Sequence, residues 1–199
     1  NSPSKVKVVL EVKEEEFDVG EIESPGSNVL MINVDEVFEE HGVDVSCYNL
    51  KCISKEKIPT RTNHQLVVGD LDSPLKASIN ISLLNDEVFY PGNKKSLCWG
   101  SFYLDKSYDT LLSLLSKTKP LGLKGILRFY DEIGKVYSID VDVPKYEAFI
   151  LSSKDLFDHF ETEDNMLWYW FESERNSEVQ AFSVHTNTVS LVSSGEHNF

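Results

Sequence analysis

The sequence predicts a mainly β, antiparallel protein with a β-sandwich-like architecture and short helices inserted between strands. Three observations carry this. Apolar residues recur with period two along most of the chain, Gly- and Pro-bearing turns separate the runs, and helical periodicity appears only in short pieces. At 199 residues and 41% hydrophobic content the chain can bury a substantial core, in one large domain or two packed halves. Eleven Phe, eight Tyr and three Trp exclude a disordered acidic chain, which would be poor in aromatics.

The elements follow in order. "KVKVVLEV" sets Val6, Val8, Leu10 and Val12 on one face against Lys5, Lys7, Val9 and Glu11, the pattern of a half-buried strand. "NVLMINV" and "VDVSCYNLKCI" are expected as further strands, with a bulge near Cys47 to Leu50 where alternation breaks. Between them "DEVFEEHG" predicts one or two helical turns ending at Gly42. "LKASINISLL" alternates Leu75, Ala77, Ile79, Ile81 and Leu83 with polar residues, as a strand of an antiparallel sheet with one solvated face does.

"YPGN" predicts a turn feeding the strand "SLCWGSFYL". In "SYDTLLSLLSK" the spacing of Tyr108, Leu111, Leu112 and Leu115, with Ser107 as N-cap and Pro120 beyond the end, predicts the best helix of the chain. "GILRFYDEIGKVYSIDV" predicts a hairpin whose loop uses Gly134 at positive φ. "YEAFIL" adds a strand, and "SKDLFDHF" a short helix capped by Ser153 with Leu156, Phe157 and Phe160 as its buried face. "LWYWFE", the loop "SERNSE" and "VQAFSV" predict an aromatic C-terminal hairpin, followed by a last strand at "TVSLV". Strand, short helix and strand thus echo weakly along the chain, without a fixed period. The polar turn "DLDSP" divides the chain into an N-terminal β-rich half, 1–72, and a C-terminal β-rich half, 73–199.

Thirty-three acidic against nineteen basic residues give a net charge of −14, which repels phosphate backbones and disfavours direct nucleic-acid binding. The same field steers a partner with a basic surface toward the chain. No apolar run is long enough to span a membrane as a helix. Cys47, Cys52 and Cys98 cannot all pair, and their odd number leans toward thiols in a reducing, cytoplasmic setting, with a leader cleaved ahead of Asn1 left open. Their spacing is not that of a zinc site.

Motifs that carry chemistry are scarce. The common phosphate-cradling loops, nucleophile elbow, zincin pair and calcium loop do not occur, so neither a cofactor nor a metal is expected. Asp70 with Asp72 and Asp140 with Asp142 each project from one face of an extended chain, a pattern that a solvated strand explains as well as a shared cation. Cys98 lacks the flanking cations that make a thiolate and is expected as a buried strand cysteine. His64, His159 and His185 have no motif spacing.

One stretch stands apart. "NMLWYWFESE" puts Met166, Trp168 and Trp170 on one side of a strand and Leu167, Tyr169 and Phe171 on the other, with neither side polar. The leading expectation is a central strand buried on both faces. In a second, one face is open and offers Trp and Tyr as anchors for a protein. In a third, Trp168 and Trp170 stack on sugar rings. The candidate binding residues are therefore Trp168, Trp170 and Tyr169. The function expected is a non-catalytic interaction protein that engages a protein partner through an acidic surface and this aromatic segment. The alternatives are a carbohydrate-binding sandwich module and an enzyme with a dispersed site.

Overall fold

A computed structural model describes residues 4–24, 29–44, 48–55, 64–69, 72–73, 75–81, 96–116, 122–160, 166–174 and 179–198. Strand makes up 64% of the described residues, in four antiparallel sheets that do not close into a barrel, so the protein is mainly β. The chain divides into two compact units, Asn1–Thr62 and Asn63–Phe199.

The first unit is a three-stranded sheet in the order β2-β1-β3, built from β1 (Ser4–Val12), β2 (Glu15–Ser24) and β3 (Asn49–Ser54). The alternation of β1 buries Val6, Val8, Leu10 and Val12 as expected, but as the central strand it also buries Val9 and Glu11. The Glu11 carboxylate is ion-paired there with Lys51, which also meets Glu16 at 2.7 Å. These two carboxylates push the lysine up to about 12. The bulge lies in β2, where Val8 pairs with Gly20 and Val9 with Asp18. Asn49 and Leu50 instead pair regularly with Glu11 and Leu10, while 45–47 lie outside the described residues.

Helix α1 (Val34–His41) forms where the sequence places it and stops at Gly42, whose φ of 65° lets its N–H reach the Glu39 and Phe38 carbonyls. "NVLMINV" is not a strand over 29–33. It carries no ladder, and the side chains of Val29 and Met31 are exposed.

In the second unit the ribbon of β4 (His64–Val68) and β5 (Ala77–Ile81) precedes two four-stranded sheets. One has the order β6-β11-β8-β9, from β6 (Leu97–Tyr103), β8 (Leu123–Tyr130), β9 (Val136–Val143) and β11 (Met166–Ser173). The other has the order β10-β7-β12-β13, from β7 (Tyr108–Ser116), β10 (Ala148–Ser152), β12 (Val179–Asn187) and β13 (Val192–Asn198). A single core joins them. Phe102, Leu127, Phe129, Leu167, Tyr169 and Phe171 of the first sheet pack with Leu112, Leu114, Leu151, Val179 and Ala181 of the second. The packing of the two sheets is β-sandwich-like. From β6 onward only the β8–β9 and β12–β13 connections stay within a sheet, and the others cross from one four-stranded sheet to the other.

Three sequence-based expectations fail in this unit. "SYDTLLSLLSK" is not a helix but the strand β7, paired with β10 on one side and β12 on the other. Its leucines satisfy both periods, and the sheet selects Leu112 and Leu114 for the core while leaving Leu111 43% exposed. Strong helix formers yield here to the ladders that two flanking strands offer the backbone. Ser107, the expected cap, instead sits in a turn held by Asp105, whose Oδ1 accepts from the Ser107 N–H at 2.6 Å.

The aromatic segment and "VQAFSV" do not form a hairpin, because β11 pairs with β6 and β8 whereas β12 belongs to the opposite sheet. The last strand begins at Val192, since Thr188 to Leu191 form the turn into it. The strand, helix, strand echo dissolves with the loss of the β7 helix. Two expectations fare better. The β8–β9 hairpin forms with Gly134 at φ 81°. "SKDLFDHF" makes a 3-10 turn over Ser153–Asp155, capped one residue earlier than expected, with Ser152 accepting from the Lys154 N–H and Asp155 accepting from the Ser152 N–H. Leu156 and Phe160 after it are buried in the core. "YPGN" lies outside the described residues.

Candidate functional site

The register of the first sheet decides what the aromatic strand presents. β11 is central, flanked by β6 and β8, so its backbone is fully laddered and its side chains alternate between faces. Leu167, Tyr169 and Phe171 point to the core, each no more than 1% exposed. Trp168 and Trp170 point the other way and are 49% and 44% exposed. The expectation of a strand covered on both faces is therefore corrected: the second sheet packs on one face only, and the other is open. Of the three candidate residues, Trp168 and Trp170 share the open face, while Tyr169 lies among the core aromatics, 6.5 Å from the Phe129 ring.

Pairing adds residues that sequence reasoning missed. Trp170 stands opposite Trp99 on β6 and Arg128 on β8, and Trp168 stands opposite Tyr130. Trp99 is 60% exposed, so three indoles lie side by side. Leu97, Ile126 and Val136, all exposed, extend the apolar area across the same face. The signal for Trp99 was present in its alternation with Cys98, Gly100 and Phe102, all on the core side. Its neighbour across the strand was not, because the pairing of β6 with β11 joins segments about seventy residues apart.

Toward one end the face becomes charged. Asp140 stands across from Ile126, and Ile126 from Glu172. One row further, Lys124 donates to Asp142 at 2.7 Å, a bond that raises the lysine above its ordinary value. Arg128 lies 3.8 Å from Glu172. Of the aspartate pairs weighed above, Asp142 is thus engaged by a lysine, and Asp70 lies outside the described residues. Among the described residues no group of three or more His, Cys, Asp or Glu is arranged to hold a metal ion.

The scaffold beneath is closely packed. Gly125 on β8 lets the strands close over Phe171: a Cβ there would stand 2.4 Å from the Glu172 carbonyl oxygen and 2.6 Å from the Phe171 ring. The Phe102 and Phe129 rings meet edge to face at 5.2 Å below the strand. Cys98 is fully buried on the core side of β6, as its sequence context implies.

The histidines occupy different elements and have different partners. His64 lies on β4, and His159 stacks on Tyr137 at 4.0 Å. His185 on β12 is 2% exposed, with Nδ1 3.3 Å from Thr110 Oγ1 and its ring edge-on to Tyr103. Burial pushes its imidazole down to about 4, so it is neutral at physiological pH. Thr110 is in turn held through its N–H by Ser153 Oγ at 3.2 Å, which ties β7 to the 3-10 turn.

The architecture and the face together define a mainly β, sandwich-like protein with one aromatic, solvent-exposed sheet face. Comparison of the chain with protein-family models, with curated proteins and with solved structures finds no match.

Proposed function

We propose that this chain is a non-catalytic binding module whose open face, centred on Trp99, Trp168 and Trp170, docks another protein. The observation that supports this best is the side-by-side exposure of three indoles, two on the central strand β11 and one on its neighbour β6. Keeping large aromatic rings in water forgoes the stabilisation that their burial would bring. Trp, Tyr and Arg dominate the energetics of protein interfaces, and here Tyr130 and Arg128 adjoin the indoles while charged residues form a rim. A laddered platform also loses little conformational entropy when a partner covers it. The excess of acidic residues favours a partner with a basic surface.

A sugar-stacking platform is the competing reading, and the aliphatic Leu97, Ile126 and Val136 weigh against it, because they offer a saccharide neither a stacking plane nor a hydrogen bond. Site-specific photocrosslinking discriminates between the two. A photoreactive residue at exposed Ser138, opposite Arg128, is expected to yield a discrete protein adduct that disappears when Trp168 and Trp170 are both changed to Ala. Binding on a glycan array that depends on the same tryptophans, with no protein adduct, would replace this reading with the sugar platform.

A further inference from the structure

We infer that the occupant of this face is a cationic segment, which places one Arg or Lys between Asp140 and Glu172 and another Arg or Lys, or an apolar side chain, on the indoles of Trp170 and Trp168. This rests on the face being a protein-docking surface and adds the chemistry of what docks there.

Charge is the first reason. Among the described residues of this face, Asp140 and Asp142 on β9, Glu172 on β11 and Glu174 just beyond it outnumber the cations Lys124 and Arg128. Lys124 is committed to Asp142, and among the described residues Asp140 has no ionic partner. Asp140 and Glu172 flank the exposed Ile126 across three adjacent strands. They leave a place where a long aliphatic stem can lie on isoleucine while its charged end reaches a carboxylate on either side.

The indoles are the second reason. The face of a Trp ring is the strongest cation–π acceptor among side chains, and the exposed part of these three indoles is within reach of a cation from solvent. An acidic segment meets repulsion at one end of the platform and gains nothing from the rings at the other. A second copy of this chain brings another −14 and is disfavoured on the same ground.

Spacing is the third. Glu172, Trp170 and Trp168 are alternate residues of one strand, so their side chains recur about every 7 Å, the repeat of alternate residues in an extended chain. A segment lying along β11 matches acid, ring and ring with residues i, i+2 and i+4.

The test is selection of a phage-displayed random dodecapeptide library on the full chain, followed by titration of the recovered peptides. Arg and Lys are expected to be enriched several-fold over the library at alternate positions. Affinity is expected to fall about tenfold or more with Trp168→Ala/Trp170→Ala or with Trp99→Ala, several-fold with Asp140→Asn or Glu172→Gln, and further as salt is raised. Recovered peptides that depend on the tryptophans but are neutral or acidic would overturn the cationic occupant and leave the docking face intact. Recovery of no peptide, or of peptides indifferent to the tryptophans, would overturn both. The exposed Asp140→Asn variant has no packing to lose, so a change in its binding is not confused with misfolding.

Discussion

The two faces of the β6-β11-β8-β9 sheet are made of much the same residue types and do opposite things. On the core side Leu167, Tyr169 and Phe171 vanish from solvent, while on the open side Trp168 and Trp170 keep nearly half their surface in water. The difference lies in what covers each face. Hydrophobicity decides that a side chain gains from burial, but only the presence of a second sheet supplies the burial. One strand therefore holds a stability determinant and a candidate recognition surface at adjacent positions.

That contrast can be broken most directly by truncation. Phe171→Ala or Tyr169→Ala opens a cavity between the sheets and is expected to cost about 3–5 kcal/mol, seen as an early melt or a failure to accumulate. Trp168→Ala and Trp170→Ala remove larger rings but surrender only half-buried surface, so a loss of about 1–2 kcal/mol is expected from denaturant titration. A tryptophan variant that melts as early as Phe171→Ala would show the open face to be part of the core.

A second effect separates the interior from the surface by pH. His185 is held neutral by burial, with its imidazole at about 4. The unfolded chain takes up a proton near pH 6.5 and the folded chain does not. Stability is therefore unaffected above pH 6.5, falls as pH drops below it, and stops falling from this source below about 4. The loss should approach roughly 3 kcal/mol in the native chain and be absent from His185→Gln. Chemical denaturation at a series of pH values measures it, and parallel pH curves for the two chains would show that His185 is not buried neutral.

The smallest effect belongs to the rim. Lys124→Ala breaks an exposed bridge to Asp142 that water and salt already screen, so the melting temperature should not move measurably. If the variant melts several degrees lower, the rim is more than a solvated border and its division from the core loses its meaning.

The sequence carried the class of this protein because alternation is a local signal. A period of two along "KVKVVLEV" or "LKASINISLL" needs no knowledge of the partner strand, and a turn such as "DEIGK" announces itself through a glycine that tolerates positive φ. The helix at Val34–His41 was legible for the same reason, down to its terminal glycine. β7 was not, because two pairs of adjacent leucines satisfy both periodicities and the choice falls to the β10 and β12 ladders. The supposed hairpin of β11 with β12 failed likewise: proximity in sequence suggested pairing, and the sandwich sent the two strands to opposite sheets.

For the candidate site the division is sharper. Alternation alone determined that Trp168 and Trp170 share one side of a strand and Tyr169 the other. Which side meets the core, and that Trp99 lies beside Trp170, depended on contacts between segments distant along the chain. A side chain's direction is set by its own backbone, but its burial is set by whatever the rest of the chain brings to that face.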